Sequence, residues 1–264
     1  MDSIMSEGKC IFCEKTFKKS GINRHFGKHL TEKSVNGKPG NSFHLKVETN
    51  SYWGSMPYFL SLWVDGNITM AQLDDFLRGI WLECCGHLSS FVIPKKLNEY
   101  EMFDFLEAEE LFNSGKIAEY EAMMERSRGE IPMGRMASKT FYKGLKLQYQ
   151  YDFGSTTELE ITVFNEYPIA SDEPIVLLSR NEPLPILCET CEKRPVVKMC
   201  NVCYGYDDEG IFCEKCAEKH KKKCDDFTDY AEMPVVNSPR MGVCAYDGGT
   251  IDLSRDKAKH LKVL

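Results

Sequence analysis

Cys188-Glu-Thr-Cys191, Cys200-Asn-Val-Cys203, Cys213-Glu-Lys-Cys216, then His220 and Cys224: this stretch supplies eight soft or borderline metal ligands in short pairs. A Cys-x-x-Cys turn sets both thiolates on one side of a tight knuckle, about 2.3 Å from a shared ion, and a tetrahedral zinc takes four such ligands. The array therefore has ligands for two ions. Filled sequentially, Cys188, Cys191, Cys200 and Cys203 hold one ion and Cys213, Cys216, His220 and Cys224 the other. Filled in an interleaved way, Cys188 and Cys191 share an ion with Cys213 and Cys216, and Cys200 and Cys203 share the second with His220 and Cys224. The other use of so many cysteines is a disulfide framework. Nothing at the N-terminus reads as a secretory signal, and paired Cys-x-x-Cys in an intracellular chain points to metal.

Outward from this array the bulk properties are ordinary. A chain of 264 residues has room for one substantial core with small satellite modules. No apolar run approaches the eighteen or so residues of a membrane span, so a cytoplasmic protein without membrane contact is expected. A net charge of −7 argues against a chain that coats nucleic acid over its whole surface. The charge is uneven, however. Lys9, Lys15, Lys18, Lys19, Arg24, Lys28 and Lys33 crowd the N-terminus, whereas residues 99–130 are rich in Glu and Asp. A basic end on an acidic body allows a local nucleic-acid contact and disfavours a general one.

That basic end carries a second metal signal. Cys10-Ile-Phe-Cys13 is followed by His25-Phe-Gly-Lys-His29, whose histidines are one helical turn apart on one face. With Phe17 and Ile22 as packing residues, residues 8–34 resemble the Cys-Cys-His-His zinc finger of the ββα type. The usual spacer between the second Cys and the first His is twelve residues, and here it is eleven. A module of this size has little apolar surface, so metal binding, worth roughly 10–16 kcal/mol in such peptides, is expected to carry its folding. Counted back from His25, the positions that read bases in DNA-binding fingers are Lys18, Ser20, Gly21 and Arg24. Lys18, Lys19, Ser20, Arg24 and Lys28 are thus the candidate DNA or RNA contacts, although Gly21 has no side chain to read with. The same lysines also read as a solvated face. One finger covers about three base pairs and specifies no genomic site alone.

The C-terminal array resembles the cross-braced zinc modules of the MYND, ZZ and B-box type, with spacers of eight and nine residues between successive pairs. The resemblance favours interleaved ligation and implies a surface that binds a protein partner.

Between the zinc modules, residues 35–42 read as a Gly/Pro linker and 43–182 as an α+β domain, with 183–264 holding the array and a tail. Strands are expected at Phe43–Glu48, Pro57–Asp65, Leu88–Ile93, Lys146–Asp152, Glu158–Phe164 and Glu173–Ser179. The apolar run Ile175-Val-Leu-Leu178 suggests a strand covered on both faces. Thr69 with Gln72 forms a capping box ahead of a helix whose stripe is Leu73, Phe76, Leu77, Ile80 and Trp81. Residues 101–128 read as an acidic helix, broken near Ser114-Gly115. The expected architecture is a central mixed sheet with packed helices, flanked by the ββα finger and a cross-braced binuclear zinc module. This order of elements, with Gly86-His87-Leu88-x-x-Phe91 and Tyr149-Gln-Tyr151-Asp152-Phe153-Gly154, resembles the plasmid ORF-three-like domain family, also found as passengers of bacterial insertion elements. Where that family continues with Asp, a small residue, Trp, Glu and His, this chain has Ser155, Thr156, Thr157, Glu158 and Leu159. The likeness covers about residues 42–180 and implies an α+β fold with no assigned activity.

Nothing in the sequence forms a recognisable catalytic set. There is no Gly-x-Ser-x-Gly elbow, no phosphate-cradling Gly-rich loop and no His-Glu-x-x-His. Cys84, Cys85 and His87 read as buried thiols beside a satisfied histidine, because adjacent cysteines point apart and no partner lies at ligand spacing. Cys244 reads as a further buried thiol, and His44 and His260 have no catalytic context. The expectation is a protein with three structural zinc ions whose function is recognition. Nucleic acid bound through the finger is the first candidate, and a protein-protein adaptor built on the C-terminal module is the alternative. A third reading is an enzyme of unknown reaction, which a polar pocket beside Asp152 and Glu158 would signal.

Overall fold

The computed structural model describes residues 5–49, 57–94, 105–205 and 209–256. His260 and the start of the expected acidic helix, residues 101–104, lie outside them. The chain opens with a small hairpin, β1 (Glu7–Lys9) and β2 (Thr16–Lys18), and the helix α1 (Lys19–Ser34). The central unit runs β3 (Pro39–Thr49), β4 (Phe59–Asp65), α2 (Met70–Leu77), β5 (Ser89–Val92), α3 (Phe105–Asn113), α4 (Ile117–Arg128), β6 (Lys146–Tyr151), β7 (Thr157–Ile169) and β8 (Ile175–Arg180). The C-terminal part adds β9 (Lys198–Cys200), β10 (Ile211–Phe212), α5 (Glu214–His220), β11 (Glu232–Pro234) and α6 (Leu253–Asp256).

The α+β class stands. The six-stranded sheet has the order β5-β6-β7-β3-β4-β8, and each of its described pairings is antiparallel rather than mixed. Three of the neighbour pairs, β3–β4, β5–β6 and β6–β7, are consecutive in the chain, and an antiparallel pair needs no crossover to form. Strand β3 begins at Pro39, inside the stretch that reads as a linker. The capping box at Thr69 and Gln72 forms as expected, and α2 runs into a π-helical turn over Arg78–Leu82.

Both faces of the sheet are covered, because β4 alternates between two cores. Leu60, Leu62 and Val64 join Phe43, Leu45, Val47, Leu73, Leu77 and Trp81 on one side. On the other, Phe59 and Trp63 join Ile22, Phe26 and Leu30 of α1, with Tyr167, Ile169 and Leu178. Strand β8 is an edge strand, yet its apolar run serves both cores, with Ile175 and Leu177 on the first side and Val176 and Leu178 on the second. Complete burial of Ile22, Phe26 and Leu30 contributes about 1.5–3 kcal/mol per side chain, so a metal ion is not the only support of α1. The hairpin also seals the edge of β8. Gly8 pairs with Asn181, and the Ile11 amide donates to the Leu178 carbonyl at 3.1 Å. The approach at Gly8 is close enough that a Cβ there would lie 2.7 Å from Phe59 Cζ and 2.9 Å from the Arg180 carbonyl.

The polar centre of this second interface is Asn23, 5% exposed. Its Oδ1 accepts from Ser61 Oγ at 2.7 Å and from His44 Nε2 at 3.1 Å. Burial lowers the His44 pKa to about 3, so the ring is neutral, and the bond to Oδ1 places its proton on Nε2. Asn23→Ala strands two buried donors and is expected to cost about 1–3 kcal/mol in denaturant unfolding of metal-loaded protein. Keeping His44 neutral also links stability to pH. The contribution is complete above the ordinary histidine value of 6.5 and declines as pH falls from there toward 3, since only the unfolded chain binds the proton. His44→Gln should remove that component, seen as a shallower acid limb than in the parent protein.

Candidate metal centres

All twelve expected ligands gather into three groups, each with its ligand atoms within 4.8 Å of one another. The first is Cys10, Cys13, His25 and His29. Its knuckle closes when the Glu14 amide donates to the Cys10 carbonyl at 2.9 Å, which leaves Glu14 with a φ of 59°. Across from it, α1 presents its two histidines, with Nε2 of His25 3.2 Å from Cys13 Sγ and 3.1 Å from Nε2 of His29. Phe17 stacks on the His25 ring at 4.0 Å. Burial and then the neighbouring His29 lower the His25 pKa, which favours the neutral form that binds metal.

The C-terminal array divides in the interleaved way, Cys188, Cys191, Cys213 and Cys216 in one group and Cys200, Cys203, His220 and Cys224 in the other. Four thiolates about 2.3 Å from one tetrahedral ion stand roughly 3.8 Å apart. Cys191 Sγ and Cys213 Sγ are 3.9 Å apart, Cys203 Sγ and Cys224 Sγ 3.9 Å, and Cys203 Sγ and His220 Nε2 3.7 Å. The donor sets and edges thus fit tetrahedral zinc in both groups. Three short strands with β9 in the middle bring the knuckles together, and α5 carries Cys216 and His220. Phe212 stacks on His220 at 4.4 Å and fixes its ring. The amides of Lys193 and then Arg194 hold the Cys191 thiol down to about 6. Arg194 Nε donates to Cys213 Sγ at 3.1 Å, which offsets part of the negative charge that four thiolates keep around a dication.

A fourth group forms as well: Cys84, Cys85, His87 and Cys244. The expectation of buried thiols pointing apart is wrong here. Cys85 and Cys244 are exposed and Cys84 half-buried, with Cys84 Sγ and Cys85 Sγ only 3.6 Å apart. They converge because the π-helical turn ends at Leu82 and the chain then leaves helical geometry at Glu83, while Gly86, with φ of 77°, folds His87 back. The only sequence signal was four unused ligand-type residues; the partner, Cys244, lies 157 positions from His87.

Of the candidate nucleic-acid contacts, Lys18 ends β2 while Lys19, Ser20, Arg24 and Lys28 lie on α1, and Lys18, Lys19, Ser20 and Arg24 border a groove shared with Lys46, Glu48 and Phe164 of the sheet. Lys18, Ser20, Arg24 and Lys28 are exposed and Gly21 is half-buried. Lys19 differs from them, since its Nζ is 3.1 Å from Glu48 Oε1. Near Asp152 and Glu158 there is no enzyme-like polar pocket among the prominent cavities described. Among the described residues, no helix is long and apolar enough to cross a membrane.

No family model matches the chain, and no curated protein matches it by sequence. Among solved structures it is similar to a protein of unknown function, MM3350 from Methanosarcina mazei Go1, at 14% identity and a TM-score of 0.32. The match covers 50% of this chain and 64% of that one.

Ligand sharing is directly testable by elemental analysis of reduced protein. Interleaving predicts that Cys191→Ser with Cys213→Ser loses about one zinc, and that Cys191→Ser with Cys203→Ser loses about two. Sequential filling predicts the reverse.

Proposed function

We propose that this chain is a zinc-built recognition protein whose N-terminal finger contacts nucleic acid through phosphate-directed cations. The observation that carries the reading is the orientation of α1. Ile22, Phe26 and Leu30 are buried on the sheet, so Arg24 and Lys28 on the opposite side stay in solvent, and Lys18 at the end of β2 is exposed beside them. A groove of about 520 Å³ adjoins it, lined in part by Lys18, Lys19, Arg24 and Lys46. Glu48 pairs with both Lys19 and Lys46 within that groove and offsets one of their two charges, whereas among the described residues Lys18, Arg24 and Lys28 face solvent as the cations most available to a polyanion. Such contacts release counterions, so affinity falls steeply with salt. With no side chain at position 21, the finger is suited to backbone contact more than to base readout.

The test is fluorescence anisotropy of zinc-loaded protein with mixed-sequence DNA and RNA over a salt series. Binding should weaken with salt, be lost in Lys18→Ala/Arg24→Ala, and change little in Lys19→Ala. Absence of binding at low salt would retire this reading in favour of a protein partner for the C-terminal module, where Leu187, Tyr204 and Tyr230 are exposed.

A further inference from the structure

We propose that Cys84, Cys85, His87 and Cys244 form a fourth metal site, for a soft divalent cation of the zinc class, which fastens the C-terminal tail to the end of the central sheet and exchanges readily with solvent. The inference shares the metal chemistry of the other groups and is independent of nucleic-acid binding.

Convergence on a single ring nitrogen is the first argument. Nε2 of His87 lies 3.0 Å from Cys85 Sγ, 3.5 Å from Cys244 Sγ and 3.5 Å from Asp152 Oδ2. A thiol–imidazole–carboxylate relay would place the nucleophile and the carboxylate on opposite nitrogens. Ligands around one ion instead aim their donor atoms at a common point, and three sulfurs with one imidazole make a standard tetrahedral set.

Secondly, the surroundings are built to hold thiolates. Arg240 is fully buried, and its Nη2 lies 3.8 Å from Cys84 Sγ and 3.6 Å from Cys244 Sγ while donating to Asp152 Oδ2 at 2.5 Å. Its Nη1 donates to the Ser155 carbonyl at 2.6 Å and Thr157 Oγ1 at 3.1 Å, so the guanidinium is fixed in place. Three thiolates and a neutral imidazole around a dication leave one net negative charge, and this guanidinium faces it. Partners that orient and charge-balance ligands in this way accompany metal sites generally.

The supporting loop is held with equal care. Arg78 Nη2 donates to the His87 carbonyl at 2.7 Å, and Arg78 is itself held by Asp74 and Glu83. Cys244 and Asp152 both adopt positive φ, 52° and 65°, a cost that persists where the surroundings enforce it.

Exposure sets this site apart. Each of the other groups includes a thiol that is at most 1% exposed, Cys10, Cys188 or Cys200, whereas Cys85 and Cys244 are open to solvent. A competing chelator therefore reaches this ion first.

The experiment counts zinc in reduced, full-length, zinc-loaded protein by elemental analysis, before and after brief exposure to a chromophoric chelator. The wild type should hold about four ions per chain and release one in a fast phase. Cys244→Ser, an exposed position that leaves the core intact, should hold about three and lack the fast phase, and Cys85→Ser should do the same. Three ions in the wild type, unchanged by Cys244→Ser, would overturn this inference while leaving the other sites standing. A wild type without metal would overturn the metal reading of the whole chain.

Discussion

A Cys-x-x-Cys knuckle fills only half of a tetrahedral ion, and the rest of this structure follows from where the other half comes from. In the C-terminal part each knuckle is completed across an intervening pair, so that residues 188–191 meet 213–216 and residues 200–203 meet 220–224. Two crossed closures leave neither loop free to move alone. The small strands β9, β10 and β11 do not have to carry this module by themselves, which matters because β10 is only two residues long. The finger obeys the same rule, its knuckle being completed by two histidines of α1.

What distinguishes this chain from a row of independent Cys/His modules is how firmly each is fixed to the central sheet. The second core places α1 across β4, β7 and β8 with Asn23 as its buried polar centre. On the other face, residues after β11 thread back over the central unit. Asn237 and Asn181 exchange hydrogen bonds, Ser238 Oγ donates to the Trp81 carbonyl at 2.6 Å, and the buried Arg180 meets Asp256 at 2.6 Å. Removing one partner of such a buried ion pair typically costs about 3–5 kcal/mol. The apolar core is continuous from the sheet into the C-terminal module, running from Leu60 and Trp81 through Val196 and Met199 to Phe212 and Phe227. The finger and the C-terminal module are therefore held at fixed positions relative to the sheet.

Much of this was legible in the residues. Short-range chemistry announces itself locally: the knuckles, the i,i+4 histidines, the Thr69–Gln72 box and the alternation of β6 each depend on neighbours within a few positions. Interleaving is legible through a resemblance rather than through spacing, because spacing alone permits both fillings. The burial of α1 could not be read, since Ile22, Phe26 and Leu30 serve a finger's own small core as well as they serve a sheet. Nor could the antiparallel order, since no local pattern in the chain shows which distant strands sit side by side. The convergence at Cys84 and Cys85 is illegible locally for the same reason. Its completing thiol and its charge-balancing guanidinium both come from the tail, 156 positions beyond Cys84 in the case of Arg240.

Hydrogen exchange, compared between metal-loaded and chelator-stripped protein, tests most directly the claim that metal closes the satellite modules while apolar burial alone sustains the sheet. Stripping should abolish amide protection around the knuckles, residues 188–204 and 211–224, and weaken it in β1 and β2. Protection in β3, β4 and β7 should persist, because their buried residues need no ion. Unchanged protection in the C-terminal module after complete metal removal would contradict the account, and so would simultaneous loss across the whole sheet.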